Sequence, residues 1–79
     1  MEHETSIITV KKKLIEKIKK NLSLEEITEW IWEEYGVKTR NWEQAEKFLL
    51  KRSVRLNEIL ALAIENDIEV TDEDIKELL

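Results

Sequence analysis

Seventy-nine residues without a cysteine, with 18 acidic and 13 basic side chains for a formal charge of −5, leave room for a single domain and exclude disulfides, thiol nucleophiles and cysteine-ligated metal centres. The longest apolar run, Ile59 to Ile64, falls far short of the roughly 20 residues that span a bilayer, and the first ten residues are acidic where a signal peptide would be basic. The chain therefore reads as a soluble cytoplasmic protein, and its apolar residues recur too regularly, at helical spacing, for disorder.

Taken in chain order, Val10, Leu14, Ile15, Ile18 and Leu22 fall on one stripe at 100° per residue, predicting a first amphipathic helix over about 10–20. Ahead of it, "IITV" is β-branched, and a helix begun at Ser6 would put Lys11 in the middle of the apolar stripe. Residues 1–9 are accordingly expected to form a flexible or extended arm, with 10–79 as one helical domain. Ser23 and Glu26 have the spacing of a capping box, and Leu22 with Ile27 that of a hydrophobic staple, so a second helix starts there. It runs to about Tyr35, where Gly36, the only glycine, can adopt the left-handed conformation that ends a helix. Thr39 or Asn41 opens a third helix, with Gln44 as the box partner of Asn41. Residues 54–65 are apolar almost all round, which predicts a helix buried among the others, with Leu60 fully enclosed; no Gly or Pro settles whether it continues from the third helix or begins afresh near Ser53. Asn66 and Asp67 end it. Thr71 and Asp74 then form a second box, stapled by Val70 and Ile75, before a short terminal helix over 72–79. The expected fold is all-α, a compact bundle of four or five short helices around a buried helix at 54–65.

Charge is unevenly placed: residues 11–20 hold six Lys against Glu16, and residues 58–79 hold eight acids against Lys76. A basic face for an anionic partner is one reading of this, and mutual attraction of the two ends is the other. Nothing in the chain resembles catalytic machinery. The single His lies at position 3, the acid pairs fall in first turns of helices where the dipole favours them, and the calcium-loop-like run "DIEVTDEDIKEL" lacks the required Gly and final Glu. No enzyme, cofactor or metal site is expected. Trp30, Trp32 and Trp42 are the remaining oddity. Trp30 and Trp32 sit about 200° apart on their helix and cannot both face the centre of one core stripe, so one of them is expected to be partly exposed, either because both cover the edges of a wide apolar face or as an anchor for a protein partner or a second copy of the chain.

From Lys12 onward, "KLIEKIKKNLSLEEITEWI", "GVKTRNWEQAEKF" and "LNEILALAIENDIEVTDEDIKELL" follow the order of signals in the helix-turn-helix domains of the phage Cro and lambda-type repressor family, which the chain resembles over nearly its whole length. Leu22–Ser23, Gly36–Val37 and Val70 fall in the family's roles. The resemblance implies a duplex-DNA-binding regulator in which Thr39, Arg40, Asn41, Glu43, Gln44 and Lys47 face the groove, with Lys12 and Lys13 among the supporting cations. The chain departs from the family in an additional turn, "WEEY", before the glycine and in the acids Glu43 and Glu46. Its ending is equally similar to a helix–link–helix segment of the trigger factor carboxy-terminal domain. A third reading is an idealised or de novo designed bundle without a natural ligand, which the absence of Pro and Cys and the dense Glu/Lys surfaces would fit.

Overall fold

The first helix, α1, runs from Glu2 to Asn21, and at 1.5 Å per residue its length of about 30 Å accounts for the 32 Å long dimension of the molecule. A computed structural model describes the backbone of residues 2–78 and the side chains of 6–78. The order is α1, α2 (Leu24–Tyr35), α3 (Trp42–Leu49), α4 (Leu56–Glu65), α5 (Asp72–Ile75) and a closing 3-10 turn over Lys76–Leu78. Among the described residues every regular element is helical and none is a strand, as expected. Residues 42–65 form two helices rather than one. Among the described residues no helix is long and apolar enough to cross a membrane.

The arm expected over 1–9 is helical from Glu2 onward, a correction with a clear cause. Val10, Leu14, Ile15, Ile18 and Leu22 are buried together, and Val10 and the half-buried Ile7 recover more by packing than β-branching costs in helix propensity. Lys11 does fall within the apolar stripe, only 3% exposed, but its ammonium is not stranded. Nζ donates to the carbonyls of Lys51 at 2.9 Å and Val54 at 2.5 Å, which lie just beyond the carboxyl end of α3, where a helix dipole favours a cation. The Lys51 carbonyl also accepts the Val54 N–H, and Val54 is itself fully buried. One lysine of α1 thus fastens the α3–α4 link.

Local signals hold α2 as expected. Glu26 N–H donates to Ser23 Oγ at 3.1 Å, Ser23 N–H returns to the Glu26 carboxylate at 2.9 Å, and Leu22 and Ile27 are both buried. Gly36 ends the helix at φ 67°, its N–H reaching the Trp32 carbonyl. At the other end of the chain, Thr71 donates from both its N–H and its hydroxyl to the Asp74 carboxylate, and Val70 and Ile75 pack against the core.

The helix at 56–65 supplies Ile59, Leu62 and Ala63 to the core, but it is not enclosed on every side. Leu60 is only half-buried, and Ile64 is 66% exposed, which corrects the expectation that Leu60 would be fully buried. The apolar composition of this segment exceeds what one helix face can bury. The element touching most of the others is α1, which packs on α4, α5 and the closing turn, while α2 pairs with α3. Helix α4 ends in a Schellman arrangement, with Ile68 N–H on the Ala63 carbonyl and Asp67 N–H on the Ile64 carbonyl. Asp67 occupies its left-handed position at φ 58°, where an idealised backbone would carry glycine.

Candidate nucleic-acid interface

Helix α3 is short, and its start is built from two side chains. Asn41 Oδ1 accepts the Gln44 N–H at 2.8 Å, and Gln44 Oε1 accepts the Arg40 N–H at 2.8 Å, so the expected box closes one residue earlier than Asn41 and draws Arg40 against the helix. Ala45, Phe48 and Leu49 bury the inner face. Gln44 and Lys47 lie about 60° apart on the outer face of α3, while Arg40 stands two residues before the helix and Lys51 two residues after it. All four are exposed.

The ionic state of these cations separates them from those of α1. Lys13 Nζ meets the Glu77 carboxylate at 3.2 Å, Lys17 pairs with Asp74, and Lys19 meets Glu46 at 2.7 Å. Each pair leaves its mark: Lys17 and the Thr71 N–H hold Asp74 below the usual carboxylate range, Lys13 does the same to Glu77, and Glu46 raises Lys19. Burial pushes Lys11 down, only partly offset by Glu58. The two charged ends of the chain therefore neutralise each other within the fold. By contrast, Arg40, Lys47, Lys51 and Arg55 make no ion pair among the described residues.

Of the positions expected to meet DNA, Gln44 and Lys47 lie on α3, Asn41 caps it and Arg40 immediately precedes it, all four exposed. Lys12 is exposed and borders the flank of α3 in a shallow cleft with Glu16, Glu46 and Leu50. Lys13 is turned away toward the chain's acidic end. Lys51 and Arg55 were not among the expected positions, although the signal was present: residues 38–55 contain six Lys or Arg and only Glu43 and Glu46 against them. The side chain of His3, the single histidine, lies outside the described residues.

The tryptophans divide as their angular separation requires. Trp30 is half-buried and stands edge-on to Tyr35 at 5.7 Å between ring centroids, and Tyr35 stands likewise to Phe48 at 5.1 Å. Trp42 is also half-buried, under the Lys19 ammonium. Trp32 is 51% exposed, with Lys38 Nζ 5.6 Å from its ring centroid. Among the described residues no group of three His, Cys, Asp or Glu is placed to hold a metal ion. No protein-family model, curated protein or solved structure matches this chain.

Proposed function

We propose that the chain is a non-enzymatic, cytoplasmic duplex-DNA-binding domain of helix-turn-helix type that presents the outer face of α3 to the major groove. The observation that carries this reading is the set of exposed cations Arg40, Lys47 and Lys51, one on α3 and one just beyond each of its ends, without ionic partners among the described residues. The eight residues of α3 rise about 12 Å, and a groove about 12 Å wide admits a single helix. Binding is dominated by phosphate contacts. Asn41 and Gln44 already commit their carbonyl oxygens to starting α3, so a bidentate grip on adenine by either would first break a helix-start bond. The domain accordingly tolerates many sequences.

Titration of a labelled duplex at low salt tests this. Three phosphate contacts give a slope of log affinity against log salt near −3, and Lys47→Ala or Lys51→Ala lowers it by about 1 each, while Lys13→Ala leaves it unchanged. Absence of binding at tens of micromolar protein overturns the proposal. A second reading, anchoring of a protein partner or a second copy, has the exposure of Trp32 in its favour.

A further inference from the structure

Trp32 stands beside a cleft of about 410 Å³ between α2 and the 36–41 link, whose other walls are Thr28, Glu29, Lys38, Thr39 and Arg40, with Glu25 at its edge. The rim of the cleft is charged on both sides, with Glu25 and Glu29 facing Lys38 and Arg40 among its lining residues. Arg40 both lines this cleft and stands just before α3, where its N–H is held by Gln44, so a polyanion lying along α3 is led directly to the Trp32 ring. Resting on the DNA-binding reading, we propose that this cleft takes one unpaired nucleobase, stacked on Trp32, and that the preferred ligand is DNA in which a duplex adjoins single-stranded nucleotides.

The parts divide the work by charge. Arg40 takes the phosphate at the junction. Lys38, which covers the ring in the free protein, gives way to the base, because stacking of a base on an aromatic ring outweighs a cation–π contact at an exposed site, and its ammonium is then free for the next phosphate. Glu29 on the wall and Glu25 at the edge repel phosphates from the cleft and so suit it to a base and not to backbone. A carboxylate accepts from an exocyclic amino group, which cytosine and adenine carry and thymine lacks.

The test compares, by anisotropy at low salt with the full chain, a blunt duplex, the same duplex with a short cytosine overhang, and one with a thymine overhang. The cytosine overhang is expected to tighten binding about five- to a hundredfold over the blunt duplex, with thymine gaining less. Trp32→Ala should abolish that gain and leave blunt-duplex affinity unchanged, while Trp32→Phe should restore part of it. A variant with Trp32 as its only tryptophan, made by Trp30→Phe and Trp42→Phe, should show fluorescence quenching by the overhang and not by the blunt duplex. If blunt and overhanging duplexes bind equally, with Lys51→Ala weakening both, the cleft assignment is overturned and the DNA-binding reading stands. If Trp32→Ala weakens blunt-duplex binding just as much while the circular dichroism is unaltered, Trp32 is an ordinary duplex contact and the cleft assignment again falls. If no DNA binds, both fall together.

Discussion

Replacing Lys11 probes the least expected bond in the fold. Lys11→Ala removes three buried methylenes, about 2.4 kcal/mol at ~0.8 kcal/mol each, and leaves the Val54 carbonyl without its donor, about 1–3 kcal/mol more. The Lys51 carbonyl loses less, since it keeps the Val54 N–H. Release of the ammonium from its dry site returns part of this sum, because burying a charge costs several kcal/mol even when it is bonded. The net expectation is a loss of about 2–4 kcal/mol for Lys11→Ala, read from urea unfolding followed by circular dichroism. Lys11→Met keeps the stem and should lose roughly 2 kcal/mol less. The pH dependence has a definite sign. Burial lowers the Lys11 pKa in the folded state, so near that pKa the unfolded chain binds more protons, and stability relative to Lys11→Met should rise with pH from the lowered value up to about 10.5. Exposed Lys12 serves as the control, with Lys12→Ala expected within ~0.5 kcal/mol of the parent. Equal, negligible effects at Lys11 and Lys12 would refute the fastening role.

Three further outcomes are expected. Ile59→Ala should cost about 2–5 kcal/mol by calorimetry or urea unfolding, whereas the half-buried Leu60→Ala should cost about half as much; the reverse order would place the core on the wrong face of α4. Asp67→Gly should stabilise by about 0.5–1 kcal/mol by relieving the left-handed backbone, and a lowered urea midpoint would show that the aspartate side chain contributes more than its backbone strain costs. The depressed pKa values of Asp74 and Glu77 confer stability that is present above the ordinary carboxylate range near ~4 and is lost as pH falls through the depressed values, so residues 72–78 should lose amide-exchange protection in acid before the rest of the domain. Simultaneous loss throughout the chain would argue that these pairs add nothing local.

What the sequence disclosed was local. Ser23 with Glu26, Gly36 and Thr71 with Asp74 act over three or four residues, and each appears where its spacing places it. What it concealed depends on distant partners. Lys11 looked like an obstacle to a helix because its two carbonyl acceptors lie 40 and 43 residues away. Leu60 looked central because composition cannot say which side of an apolar helix will be covered. For the candidate interface, Arg40, Asn41, Gln44 and Lys47 came from the resemblance to helix-turn-helix domains, and their exposure in and around α3 is a fact of the fold. That Lys13 is neutralised could not be read from its neighbours, because its partner, Glu77, lies at the far end of the chain. Lys51 and Arg55 lie in a link with no periodic pattern to single them out.

The docking of the last described residues on the first helix has a consequence for how the chain reaches its fold. Lys13–Glu77 and Lys17–Asp74 join positions 64 and 57 residues apart. Closing so long a loop is entropically costly but only weakly dependent on its length, and such distant contacts slow folding relative to other small helical domains. During synthesis α1 precedes every element that covers it: α4 can screen part of its apolar stripe once made, and the cover is completed only when residues 72–78 have followed.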